Sequence, residues 1–121
     1  MRIQGITIEV SDLAVSKDFY ENVLGFQPGE YYAPTKWQPY TFGEQYFAIR
    51  EVENKKPHDD HDITNFELDE VEGLWARVKD SAEVAEPLAT TPYGTYKFVV
   101  KDPDGYRVGF VRGRDSSVTD G

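Results

Sequence analysis

Between Lys56 and Asp62 the chain reads KPHDDHD, a stretch holding both of its histidines, His58 and His61, among Asp59, Asp60 and Asp62. Imidazole nitrogens and carboxylate oxygens are the usual ligands of zinc and non-haem iron, so the spacing raises a metal centre. The plainer reading is a solvated connection. The whole stretch 53–62, ENKKPHDDHD, is polar and interrupted by Pro57, which is loop composition. Two further residues carry acid–base potential, Glu9 and Glu67, because paired carboxylates can serve as acid and base. No Ser/His/Asp arrangement or phosphate-cradling glycine loop has supporting context.

These groups must be positioned by the elements around them. In GITIEV, Ile6, Ile8 and Val10 alternate with Gly5, Thr7 and Glu9, the period of a half-buried strand. Asp12 is placed to cap a helix over about 13–24, and Gly25 fits the left-handed position that ends one. Strands follow at about 40–43 and 45–52. TNFEL repeats the alternation, with Phe66 and Leu68 on one side. Asp69 with Glu72 gives a capping-box signal, and Val71, Leu74, Trp75 and Val78 make an amphipathic helix. The last two strands turn at Asp102-Pro103-Asp104-Gly105, where Pro presets one dihedral and Gly permits a positive φ.

The pattern occurs twice. IEVSDL (8–13) lies over FELDEV (66–71), an offset of 66 − 8 = 58, and FAIREVE (47–53) lies over VGFVRGR (108–114). Each half is a strand, a helix, then two or three antiparallel strands. The expected fold is α+β: one domain over 1–121, built of a first module at about 3–53, a linker at 54–62, a second module at about 63–113 and a polar tail at 114–121. Together the modules form a curved mixed-sheet cup with helices outside.

Composition bounds the function. A formal net charge of -9 argues against nucleic acid and anionic membranes as partners; it is explained first by solubility and only weakly favours a cationic ligand. With no cysteine, disulfides, thiolate metal sites and cysteine nucleophiles are excluded. No apolar run approaches the roughly 18 residues of a membrane span. The expectation is a soluble cytoplasmic protein.

VSDLAVSKDFYENVLGF and KDPDGYRVGF, in those places, resemble the vicinal oxygen chelate superfamily of glyoxalases, bleomycin-resistance proteins and extradiol dioxygenases, whose fold is a pair of βαβββ modules. The resemblance covers about residues 3–113. It implies a divalent metal held by four inward-facing positions, which fall here at Gly5, Ala48, Ile63 and Gly109. None of these carries a side-chain donor. His61, two residues before Ile63, keeps the inward parity, yet one imidazole is not a site.

Strand parity lines the cup with Thr7, Glu9, Asn65 and Glu67, then Tyr46, Ala48, Arg50, Arg107, Gly109 and Val111, joined by Lys97 and Val99. Trp37, Tyr40 and Phe42 are assigned to a wall, suited to a flat aromatic ligand. Glu9 and Glu67 either serve as acid and base or pair with Arg50, Arg107 or Lys97. The leading expectation is a metal-independent, cofactor-free homodimer that binds a small molecule, an antibiotic or aromatic metabolite, as bleomycin-resistance proteins do. The alternative is a lyase, isomerase or dioxygenase using Glu9 or Glu67, metal-dependent or acid–base. A third is a cup closed by side chains, serving as a partner or regulatory module.

Overall fold

The alternating Ile6, Ile8 and Val10 form β1, Gly5–Val10, in the computed structural model, which describes residues 1–113. The tail 114–121 lies outside the described residues. By its contacts the chain divides into two compact units, Met1–His58 and Asp59 onward. Together they make an α+β protein of two modules, each with its own mixed sheet.

In the first unit, Asp12 caps α1, Leu13–Lys17, its carboxylate accepting from the Val15 N–H at 3.2 Å. The helix expected to run to residue 24 is α-helical only to Lys17. A π-helical stretch, Asp18–Val23, continues it, with the Leu24 N–H bonded to the Phe19 carbonyl at 2.9 Å. That wider turn keeps the neighbouring Phe19 and Tyr20 on one buried side. Gly25 then ends it at φ 83°.

After a 3-10 turn at Ala33–Thr35 come β2, Trp37–Phe42, and β3, Gln45–Glu51. The strand order is β1-β3-β2, with β1 parallel and β2 antiparallel to β3. β2 starts earlier than its sequence suggests because it tolerates Pro39: it is an outer strand, where a missing N–H costs no ladder bond. The remaining strand of this module is reduced to isolated bridges, Pro28 to Tyr40 and Tyr32 to Trp37. Tyr20 is the hub of the core, with ring centroids 5.1 Å from Phe19, 5.7 Å from Phe26, 6.0 Å from Tyr40 and 5.1 Å from Phe47.

The second unit runs β4, Ile63–Leu68; α2, Val71–Val78; β5, Glu83–Thr90; β6, Tyr96–Lys101; and β7, Arg107–Arg112, with order β4-β7-β6-β5. α2 buries Val71, Leu74 and Val78, and sets Trp75 5.2 Å from Phe98. Phe98 stacks on Phe110, and Phe110 on Phe66, at 5.2 and 5.8 Å. The capping box does not form. Glu70 occupies the cap position without a side-chain bond, and Glu72 pairs with Arg112 at 2.5 Å instead. Asp102 closes the last turn by accepting from the Asp104 and Tyr106 N–H groups, both at 2.9 Å, with Gly105 at φ 94°.

The ladders reproduce the internal repeat. Gly5 pairs with Tyr46 and Ile63 with Arg107, so the first strands are offset by 63 − 5 = 58 and the last by 107 − 46 = 61. Among the described residues no helix is long and apolar enough to cross a membrane.

Candidate functional site

In the first sheet, Phe47 packs on Tyr20 of the helical segment, so by alternation Tyr46, Ala48 and Arg50 take the opposite, open face, where Ala48 itself is covered. The registers lay three rows across β1, β3 and β2: Gly5–Tyr46–Thr41, Thr7–Ala48–Pro39 and Glu9–Arg50–Trp37. Gly5 is what allows Tyr46 its position. A Cβ there would stand 2.5 Å from the Tyr46 ring and 2.5 Å from its carbonyl oxygen. Trp37 reaches diagonally over Ala48 and donates from Nε1 to Thr7 Oγ1 at 3.2 Å, its ring edge-on to Tyr46 with centroids 5.6 Å apart. Arg50 holds Glu9 at 2.7 Å.

Five of the sequence-assigned residues thus share one surface: Thr7, Glu9, Trp37, Tyr46 and Arg50. Tyr40 and Phe42 do not. They lie an odd number of residues from Trp37, so the pleat turns them to the helix side. Tyr40 is fully buried there, and Phe42 packs edge-on against Phe26 at 5.1 Å. The wall assignment of both is corrected accordingly.

In the second sheet the open-face rows are Ile63–Arg107–Lys101, Asn65–Gly109–Val99 and Glu67–Val111–Lys97. Asn65 lies over Gly109, in the space a Cβ would take. Lys97 reaches diagonally to it, Nζ to Oδ1 at 3.0 Å. Lys101 pairs with Glu83 at 3.3 Å, and Arg107 donates to the Asp60 carbonyl at 2.8 Å. Glu67 forms no ion pair among the described residues.

A polar network that sequence reasoning missed runs beneath the first helix. The Tyr40 hydroxyl donates to Glu21 at 2.8 Å, Glu21 pairs with Lys17 at 2.9 Å, and Lys17 donates to the buried Gln38 at 2.9 Å. Burial, then the Glu21 carboxylate, pushes the Tyr40 phenol far above its ordinary range. Nearby, Glu51 accepts from the Leu13 N–H at 2.8 Å and from Lys36 at 2.9 Å; the amide first and the ammonium second lower its pKa. Tyr31, Lys36, Glu51 and the exposed side of α1 line a groove of about 630 Å³. The i,i+4 spacing of Lys17 and Glu21 was the only sequence signal for any of this.

The four positions implied for a metal do not fit one. Gly5 and Ala48 share the first open face, Ile63 and Gly109 the second, and none offers a lone pair. The Tyr46 ring and the Asn65 amide fill the space over the two glycines. Within the connecting segment, ligand atoms of His58, Asp60 and Asp62 lie within 4.8 Å of one another. His61 is not among them. Exposed carboxylates of this kind are common without an ion; three ligands are one short of a structural metal site and equal in number to a catalytic one.

A family model described as Glyoxalase/Bleomycin resistance protein/Dioxygenase superfamily matches residues 2–110. Among solved structures, a protein of unknown function from Agrobacterium tumefaciens str. C58 superposes with TM-score 0.82 at 22% identity, covering 94% of this chain and 95% of that one. A lactoylglutathione lyase from Agrobacterium tumefaciens gives 0.72 at 19%, covering 93% of each. TioX from Micromonospora sp. ML1 gives 0.72 at 16%, covering 93% of this chain and 98% of that one. No curated protein matches the chain.

Proposed function

Because the chain belongs to the Glyoxalase/Bleomycin resistance protein/Dioxygenase superfamily, we propose that it binds a small molecule without a protein-held metal, on the open face of its first sheet. The observation that carries this reading is the Tyr46 ring lying over Gly5, with Trp37 edge-on beside it. Where the family resemblance implies a metal ligand, this sequence supplies an aromatic ledge. Such a ledge suits a flat aromatic compound, an antibiotic or an aromatic metabolite, at about 0.5–1.5 kcal/mol per ring contact. Thr7 fixes the indole by accepting its N–H, so little ordering is left for the ligand to impose.

Glu9 does not draw a cation here, since Arg50 already neutralises it. The ligand of this face is therefore a neutral aromatic, in place of the cationic one that an unpaired Glu9 would favour. We further propose a homodimer. β1 and β2 are outer strands of their sheet, and Ile3 and Ile6 are 72% and 37% exposed beside or on β1, which pairing of copies would cover. Light scattering that gives a monomer mass at high concentration would refute the dimer.

One observation favours an enzymatic second reading: Glu67, on the open face of the second sheet, forms no ion pair among the described residues, which suits a base. A neighbouring structure is a lactoylglutathione lyase. Turnover abolished by Glu67→Gln with binding retained would establish that reading.

A thermal-shift screen of neutral aromatic compounds in the presence of a chelator tests the leading one. A stabilising compound is expected, and Trp37→Ala should weaken its binding roughly two- to tenfold. Binding that needs an added divalent ion would overturn it.

A further inference from the structure

We infer that Asn65 and Lys97 form the recognition element for a carboxylate group on a ligand bound at the second sheet. Gly109 makes the arrangement. With no side chain on the middle strand, Asn65 folds over it from β4 and Lys97 crosses to meet it from β6. An ammonium group only donates, so the amide must turn Oδ1 toward Lys97 and leave its N–H₂ free to donate. Lys97 keeps further N–H groups of its own. The centre of this face therefore offers donors from two adjacent side chains, one of them charged, over the buried Val99 and Gly109.

The charges around the pair agree. Lys97 and Arg107 are both bonded to neutral oxygens, the Asn65 amide and the Asp60 carbonyl, and neither cation forms an ion pair among the described residues. Lys101 is taken up by Glu83. Of the remaining carboxylates, Glu86 stands on β5 opposite Val99, one strand beyond Lys97, and Glu67 lies toward Gly113 at the end of the face, 3.3 Å from where a Cβ of that glycine would stand. A carboxylate can accept from Asn65 and Lys97 together, as a charge-assisted pair of bonds. An amine at the same point would meet the like charge of Lys97 and the N–H₂ donors of Asn65.

The inference rests on the small-molecule reading above but concerns a different sheet and a different chemistry. Its test compares benzoate, benzamide and benzylamine by NMR titration of the full chain. Benzoate is expected to shift resonances of Asn65, Lys97 and Gly109, and to bind more tightly than either analogue. Lys97→Met should weaken benzoate about tenfold or more, because a charged hydrogen bond is lost. Lys97→Arg should restore part of that affinity, and Glu67→Gln should strengthen benzoate by removing a like charge. Gly109→Ala should act like Lys97→Met by displacing Asn65; should that variant not fold, Lys97→Met alone decides. Unchanged benzoate binding in Lys97→Met, or a preference for benzylamine, would overturn the inference. Benzamide binding as well as benzoate would overturn it while leaving the small-molecule reading intact. No response to any aromatic probe would defeat both.

Discussion

Trp37 with Thr7 in the first sheet and Lys97 with Asn65 in the second occupy equivalent places. In each, a residue on the strand antiparallel to the middle one reaches diagonally over that middle strand to the first strand. It crosses Ala48 in one case and Gly109 in the other. The backbone frame is the same and the chemistry is not: a neutral indole–hydroxyl bond in one sheet, an ammonium–amide bond in the other. Duplicated strands fix where a cross-strand bridge can form. The side chain on the middle strand, absent or a single methyl, decides whether it does. The rest is free to diverge.

The cores diverge as well. Tyr40 in the first sheet and Val100 in the second stand at matching ladder positions, opposite Phe47 and Val108. The first core carries a polar chain through Tyr40, Glu21, Lys17 and Gln38, whereas the second is a stack of Phe66, Phe110 and Phe98.

The sharpest way to break the comparison is at Gly5 and its counterpart Ile63. Gly5→His should be the costliest change, about 3 kcal/mol, the upper end of overpacking penalties, because its Cβ meets a backbone oxygen as well as the Tyr46 ring. Ile63→His replaces one side chain with another and should cost less. Urea unfolding of both variants checks this, and equal costs would mean that Tyr46 yields freely. Next comes Tyr40→Phe, expected to lose about 1.5 kcal/mol, since a buried hydroxyl bonded to a carboxylate disappears while Glu21 keeps Lys17.

Acid should act on the first unit through Glu51. Its folded pKa is lowered below the ordinary 4.5, so its stabilisation is complete above that value and is lost as pH falls through the folded one. Glu51→Gln should destabilise at neutral pH, and its unfolding curve should converge on the parent's in acid. Parallel curves at all pH values would show the shift to be wrong. The smallest effects belong to the open-face carboxylates. Glu9→Gln should cost about 0.2–1 kcal/mol, less at high salt, through its pair with Arg50. Glu67→Gln, with no pair among the described residues to lose, should change stability by less than about 0.5 kcal/mol.

Much of this was legible in the sequence, for identifiable reasons. Period-two alternation and the repeat placed β1, β3, β4, β6 and β7, and the absence of donors at Gly5, Ala48, Ile63 and Gly109 needed only residue identity. β5 was not legible, because EVAEPLAT carries Pro87 and pairs with register shifts that blur its alternation. The π turn was not legible either, since Phe19 and Tyr20 read equally well as part of an α-helix. Tyr40 and Phe42 were placed on the wrong side because aromatic content was followed where parity from Trp37 pointed the other way. What lay over the two glycines depended on side-chain directions that a linear pattern does not contain.

The central claim is that Trp37 belongs to a ligand surface that needs no metal. The chain has two tryptophans, and Trp75 is half-buried on α2 against Phe98, so Trp75→Phe leaves Trp37 as the sole indole reporter. Titrating that variant with a stabilising aromatic compound, with and without excess EDTA, tests the claim most directly. Saturable quenching or a shift of Trp37 emission, with the same Kd in both conditions, is expected. Binding lost in EDTA and restored by a divalent ion, or binding seen calorimetrically with Trp37 emission unmoved, would contradict it.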